Sequence, residues 1–569
     1  MSQVVIKIET DVGITMRDGI TLRADLFRPD GDGPFPTIVM RTPYDKRRAF
    51  AYYFYDPIRM ARNGYAVIFQ DCRGCFASEG TFYPWRHESR DGHDTIEWAA
   101  AQNWSNKKVG MYGYSYPGST QWAAAEERPP HLSAIAPGSS PETVKDLIFR
   151  GGVFQLQLAQ LWTLTIAAML GRRTSAQHNS VAYLRQVVAS LSDLPREARC
   201  LPLNQWPIAE NESATFYRDW LQHSTRDDYW QKLDLPSVSN TDLPTYIIGG
   251  WYDVVTAAGV LSAFTKLASI GGPQRVKLIM GPWGHEMHLM QKVGDHDFGV
   301  TAGGDAVDLV GLHLRWFDYW LKGIDNGVID EPPVRIFVMG DNLWRHENEW
   351  PLARTRYTKY FFRSGDSAYG TGGRLTLELP CDEEPESYTY DPLNPVSTEG
   401  GSILNMQRGF GPVDQRAIEA RTDVLIYSTE PLVNEIEVTG PVVVTLYAQS
   451  SAIDTDFTAK LVNVWPSGEA FVVLDGIVRA RYRTSDAHPS FLTPGTVYEY
   501  SIDLAATSMV FKAGHRVRIE ISSSNFPKYD RNTNTGHPIG ADVLTRPAKQ
   551  DIFHNATHPS HVILPVIPR

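Results

Sequence analysis

Short apolar runs alternate with helix-like stretches through the first part of the chain: TIVMR (37–41), YAVIFQ (65–70), KKVGMYG (107–113) and LSAIAPG (132–138). Two more, TYIIGGWYD (245–253) and VKLIMGPWGH (276–285), follow after a gap. Strands that are apolar throughout, rather than at every second residue, must be buried on both faces. Alternated with helices, they predict a mostly parallel sheet covered on both sides. An N-terminal hairpin is expected before it, in VGITMRDGITLRADLFRP, with Arg17-Asp18-Gly19 as the turn. DGHDTIEWAAAQ reads as a helix whose acidic start suits its dipole.

A chain of 569 residues is too long for one core. The pattern changes near Pro141, where helical stretches take over: Val153 to Gly171, Val181 to Leu191 and Phe216 to Leu233. This is an insertion. It falls where a lid would cover the C-terminal ends of parallel strands, the place where such sheets bind ligands. Beyond about Asp341, runs such as IEVTGPVVVTLYAQSS, AFVVLDGIVRARYR and HRVRIEISSSNFP recur between turn residues. Many short strands with few helices predict a β-sandwich, with a jelly roll as one topology in that class. The expected division is a core at 1–141 and 243–345, a helical insertion at 142–242 and a β-sandwich at 346–569.

The formal net charge of −11 argues against a general nucleic-acid binder and against docking on an anionic membrane. The N-terminus lacks the basic, apolar and small-residue segments of a secretory signal, so a cytoplasmic protein is the expectation. The four cysteines are too few for a disulfide framework. Cys72 and Cys75 form a C-x-x-C, but no second ligand pair accompanies them, and incidental thiols are the simpler reading.

GYSYPG (113–118) places Ser115 between a strand and a helix. Pro117 fits a helix's first turn, where its missing N–H costs nothing. Serine becomes a nucleophile when a histidine takes its proton and a carboxylate orients that histidine. On a sharp strand-to-helix bend its hydroxyl stands above the sheet, and the next backbone N–H faces the reacting carbonyl. The pattern is G-x-S-x-x-G rather than G-x-S-x-G, so taken alone it is weak. Its partners strengthen it. Asp253 and His285 each end a later apolar strand, in the order Ser, Asp, His that this architecture uses.

Two oxyanion donors are needed. The N–H of Tyr116 is one candidate. The other is the phenol of Tyr44 in TPYDK, which reads equally well as a packed aromatic. His288, three residues after His285, is a rival base. A zinc reading of HEMH fails on its i, i+3 spacing, and GDHDFG (294–299) reads as a polar loop.

RTPYDK, QDCRGCFASEG, the stretch from DGHDTIEW to GYSYPGSTQWAAA, GGWYD, GPWGH, DTDFTAKLVNVWPSGEA and SSSNFPKYDRNTNTG together resemble the cocaine esterase family. That family belongs with X-Pro dipeptidyl-peptidase-like and α-amino-acid ester hydrolases, and the resemblance spans nearly the whole chain. It implies an α/β hydrolase with an inserted helical cap, plus a C-terminal all-β jelly-roll sandwich. It assigns the nucleophile to Ser115, the acid to Asp253, the base to His285, and the oxyanion donors to Tyr44 and the N–H of Tyr116. It implies a small-molecule ester or amide substrate, hydrolysed with no metal or organic cofactor. Self-association through the sandwich is compatible with it. Val254-Val255 is smaller than the pair found after GWYD in the cocaine-cleaving member. Asp305 and Asp308 are candidates for the acidic cluster with which amino-acid ester hydrolases hold a substrate ammonium.

Overall fold

The computed structural model describes residues 4–48, 55–174, 180–235, 242–256, 259–272, 274–285, 290–365, 372–404 and 409–569. Ten strands form one sheet: β1 (Ile6–Thr15), β2 (Thr21–Pro29), β3 (Phe35–Thr42), β4 (Ala66–Asp71), β5 (Ser105–Tyr114), β6 (Leu132–Gly138), β7 (Thr245–Tyr252), β8 (Val276–Gly284), β9 (Val334–Val338) and β10 (Leu343–Glu347). Their spatial order is β1-β2-β4-β3-β5-β6-β7-β8-β9-β10. Every neighbouring pair from β4 to β9 is parallel. Antiparallel strands finish both edges.

The apolar runs follow from this placement. β4, β7 and β8 are buried at every residue. Successive side chains of β3 enter different cores: Val39 packs on one face of the sheet, Ile38 and Met40 on the other. The first face is covered by α1 (Glu88–Ala100) and α2 (Tyr116–Glu126), through Ile96, Ala99, Trp122 and Ala123. The second is covered by the helix Leu309–Lys322, through Leu314, Trp316, Phe317 and Leu321.

Between β6 and β7 the chain is helical, led by α3 (Leu156–Thr174) and α4 (Ser180–Ser192). The helix expected across 216–233 is two short ones, Phe216–Gln222 and Asp228–Gln231. The polar HSTRD between them competes with helix: Asp227 turns its carboxylate onto the N–H of Tyr229 and starts a new turn. Val153-Phe154 is likewise outside α3, paired with Phe149-Arg150 in a small ribbon.

The C-terminal part, from Arg356 to Ile567, is all-β, with 11 strands in one hydrogen-bonded set. Its long strand Ile436–Ser450 buries every second side chain over most of its length, the period of a strand with one face in a core. This part touches the insertion through backbone. The N–H of Asp530 donates to the Phe154 carbonyl, the N–H of Phe154 donates to the Asp530 carboxylate, and the N–H of Gln157 donates to the carbonyl of Pro527 at 3.1 Å.

Among the described residues, no helix is long and apolar enough to cross a membrane. Nor does any group of three or more His, Cys, Asp or Glu there lie arranged to hold a metal ion. Cys72 and Cys75 are buried thiols in the turn after β4, and burial pushes the Cys72 thiol well above its ordinary range.

Candidate active site

Ser115 is the single residue between β5 and α2. Its backbone sits at φ 66° and ψ −128°, a region that a side-chain-bearing residue enters only at a cost of about 1–3 kcal/mol. The surroundings hold it there. Its N–H donates to the Gly138 carbonyl at 2.8 Å, and its carbonyl accepts from the N–H groups of Gly118 and Ser119 at 2.8 and 3.0 Å. The two glycines of the motif are steric requirements of this bend. A Cβ on Gly113 would stand 2.5 Å from Cβ of Pro117, and one on Gly118 would stand 2.8 Å from the Gly138 carbonyl. The second glycine therefore belongs at position 118, where the first turn of α2 crosses the end of β6.

His285 follows the end of β8, and Asp253 the end of β7. His285 Nε2 lies 2.8 Å from Ser115 Oγ, and His285 Nδ1 lies 2.9 and 3.0 Å from the two oxygens of Asp253. Asp253 is buried, and its carboxylate also accepts from the N–H of Val255 at 2.7 Å and from the Tyr114 phenol at 2.9 Å. Burial alone would raise its pKa. The attraction and hydrogen bond of His285 outweigh that and hold it below the ordinary carboxylate value.

Tyr44 follows the end of β3 and lines the same cavity as Ser115. Burial pushes its phenol up to about 12, against the pull of Trp162 and Ser115, so it keeps its proton at neutral pH. The indole Nε1–H of Trp162 on α3 donates to the Tyr44 oxygen at 2.9 Å. Tyr116 occupies the first position of α2, where a backbone N–H has no acceptor within the helix. Its phenol points away from Ser115, donating to Glu88 Oε1 at 2.9 Å and accepting from the N–H of Trp85 at 2.9 Å.

Thus Ser115, His285, Asp253, Tyr44 and Tyr116 meet at one end of the sheet. His288 lies outside the described residues. Asp308 is elsewhere: it caps the helix Leu309–Lys322 and pairs with Arg59 at 2.6 and 2.8 Å. Neither Asp305 nor Asp308 lines the cavity beside Ser115. Reading the sequence missed Tyr114, which holds the orienting carboxylate, and Trp162. Tyr114 was signalled only by its position next to Ser115. Trp162 lay in a run that reads simply as buried helix.

The cavity beside Ser115 has an empty volume of about 480 Å³, including its mouth. Leu147, Ile148, Leu158, Trp162 and Trp220 of the insertion, Val255 after β7 and Leu404 of the C-terminal part wall it with Trp85. Three tryptophans stand face to face or tilted there, with ring centroids 5.7 Å apart for Trp85–Trp162 and 5.9 Å for Trp162–Trp220. His285 is the only ionisable side chain besides tyrosines among the described residues that line it.

Residues 18–287 match the X-Pro dipeptidyl-peptidase (S15 family), and residues 326–563 match the X-Pro dipeptidyl-peptidase C-terminal non-catalytic domain. The chain is 39% identical over 573 residues to the cocaine esterase of Rhodococcus sp. (strain MB1 Bresler), an alignment covering 99% of each. Among solved structures, an α-amino acid ester hydrolase superposes with a TM-score of 0.81 at 26% identity, covering 99% of this chain and 97% of that one. An aminopeptidase from a marine sediment Thaumarchaeota archaeon gives a TM-score of 0.81 at 25% identity, covering 100% and 97%. An α/β sheet followed by an all-β part is common ground with these relatives, and agreement over the full length of both chains leaves no part of this one outside the comparison. The chain belongs to the cocaine esterase family and is a serine hydrolase acting on ester or amide bonds.

Proposed function

We propose that this protein hydrolyses carboxylic esters of small molecules through a Ser115–His285–Asp253 triad, with the Tyr44 phenol and the Tyr116 N–H as oxyanion donors. In this reading the chain is an α/β hydrolase at 1–141 and 243–345. Its insertion at 142–242 caps the site, and a jelly roll at 346–569 closes one wall. The observation that carries the proposal is the hydrogen-bonded file from Ser115 Oγ to His285 Nε2 at 2.8 Å and from His285 Nδ1 to Asp253 at 2.9 Å.

Each step follows from that file. Ser115 Oγ attacks the ester carbonyl as its proton passes to His285 Nε2. Asp253 stays ionised and stabilises the imidazolium without taking the proton. The carbonyl oxygen becomes an oxyanion, which accepts from Tyr44 O–H and Tyr116 N–H. His285 then gives its proton to the leaving alkoxide, and an acyl-Ser115 ester remains. Water, deprotonated by His285, attacks that ester and releases the carboxylic acid.

The wall composition favours a neutral, apolar acyl group. An α-ammonium would need a carboxylate, and among the described residues lining the cavity none is acidic. This weighs against the amino-acyl alternatives, in which a carboxylate such as Asp305 or Asp308 would hold the substrate ammonium; an amide of a neutral acid differs only in its leaving group. The test is labelling with a fluorophosphonate, followed by peptide mapping. The adduct should sit on Ser115 and be absent in Ser115→Ala; labelling elsewhere, or none in an active preparation, would sink the reading. A p-nitrophenyl ester of a neutral acid should be cleaved faster than its anilide and faster than the α-amino ester. The reverse ranking would install the amide alternative.

A further inference from the structure

Tyr44 is useful as an oxyanion donor only if its proton points into the cavity, and a phenol O–H is free to rotate between two in-plane directions. A tyrosine oxygen both donates and accepts, whereas an indole N–H can only donate. Trp162 Nε1 lies 2.9 Å from the Tyr44 oxygen, so the bond between them has one possible polarity: Trp162 gives and Tyr44 accepts. The Tyr44 proton is thereby excluded from the Trp162 side and left for the cavity that Tyr44 and Ser115 line together.

The indole is itself held in plane. It stacks on Tyr116 at a 6.1 Å centroid distance and 13°, and on Trp85 at 5.7 Å and 19°. Tyr116 and Trp85 are in turn tied by the Trp85 N–H that donates to the Tyr116 phenol at 2.9 Å. The backbone of Tyr44 is fixed by its N–H, which donates to Thr42 Oγ1 at 3.1 Å. Both ends of the Trp162–Tyr44 bond are therefore rigid.

We infer that Trp162 is a positioning residue for the oxyanion hole: by donating to the Tyr44 oxygen it aims the Tyr44 proton at the reacting carbonyl. This rests on Tyr44 being an oxyanion donor. It also gives the helical insertion a part in the chemistry besides walling the cavity, because Trp162 is carried by α3 whereas Tyr44 follows β3. The hole is complete only when the insertion is seated on the sheet. α3 is seated at its start by the C-terminal part, through the two Asp530–Phe154 bonds and the Gln157–Pro527 bond.

The experiment is a double-substitution cycle read as kcat and KM on one p-nitrophenyl ester. The donor is removed in two ways: Trp162→Phe, and Trp162 replaced site-specifically by benzothienylalanine, which keeps the ring system and puts sulfur where the N–H stood. Each should lower kcat by about 10-fold, the loss of one hydrogen bond that orients a second. KM should stay within about 2-fold for the benzothienyl variant, whose packing is preserved. In a Tyr44→Phe background neither change should lower kcat further, because the group that Trp162 acts on is gone. A drop in kcat that persists undiminished in that background, or an effect confined to KM, would overturn the inference and leave Trp162 as cavity wall. Full kcat in Tyr44→Phe alone would instead overturn the oxyanion role of Tyr44 itself, and the inference with it.

Discussion

Arg41 and Glu88 form an ion pair, Nη1 to Oε2 2.8 Å, with side chains 0% and 3% exposed. Arg41 lies on β3 shortly before Tyr44, and the other oxygen of Glu88 accepts from the Tyr116 phenol. The residues proposed as oxyanion donors are thus mounted on elements that one buried pair joins. Removing one partner of a buried pair costs about 3–5 kcal/mol where the other charge is left alone; Asp91, 3.8 Å from Arg41 Nη2, keeps part of that compensation here. Glu88→Ala should lower the unfolding free energy by up to that amount, read as a lower midpoint at unchanged slope in denaturant titration. Glu88→Gln, which can still accept from Tyr116, should lose stability but keep more kcat than Glu88→Ala. Equal midpoints for wild type and Glu88→Ala would contradict this account.

Ser115→Ala should lower kcat by about 10⁴–10⁶-fold while the protein stays folded. The strained backbone at Ser115 adds a second expectation. Glycine enters that conformation freely, alanine does not, so Ser115→Gly should be more stable than Ser115→Ala by about 1 kcal/mol. Thermal denaturation of the two inactive variants side by side measures the strain directly. A less stable Ser115→Gly would show that the bend is not strained.

Tyr44→Phe should reduce kcat by about 10²–10³-fold, as loss of one oxyanion donor does. Because the Tyr44 phenol is pushed up to about 12, it remains protonated through the alkaline range of ordinary assays. The wild-type pH–rate profile should accordingly show no loss near the ordinary tyrosine pKa of about 10. A loss there that vanishes in Tyr44→Phe would mean that the phenol titrates normally.

Asp253 has its pKa lowered in the folded protein. A carboxylate depressed on folding adds stability above its unfolded value, and this is lost as pH falls through the folded value. The stability that wild type holds over Asp253→Asn should therefore shrink as the pH falls below about 4. Asp253→Asn should also cost about 10⁴-fold in kcat, since the amide no longer fixes the imidazole in the required tautomer. A stability gap that persisted unchanged below about pH 3 would place the titration on another group.

Gly118→Ala should be destabilising by about 1–3 kcal/mol, because its Cβ would lie 2.7 Å from Ser140 Cβ and 2.8 Å from the Gly138 carbonyl, leaving no room without a backbone shift. Since the N–H of Gly118 also bonds the Ser115 carbonyl, the shift should reach the nucleophile and lower kcat along with the melting temperature. A variant with normal stability and normal kcat would show that the crossing of α2 over β6 is loose.

What could be read along the chain was whatever depends on order and local pattern. Strands buried on both faces are apolar at each residue, so β3, β4, β5, β7 and β8 announce themselves. Ser115, Asp253 and His285 each stand at the end of such a strand, and parallel strands in one sheet bring their ends to one edge. What could not be read depends on how docked elements are turned about their own axes. An apolar run does not say which way the Trp162 indole faces, and only the seating of α3 on the sheet sets its N–H against the oxygen of Tyr44, 118 positions away. An isolated aspartate carries no mark of its partner, and Asp308 finds Arg59 rather than the cavity. The expected helix over 216–233 breaks where Asp227 prefers a local backbone partner to another helical turn. Hydrophobic burial is written residue by residue and survives in one dimension. Hydrogen-bond direction is a relation between distant groups, and it exists only once packing has fixed both of them.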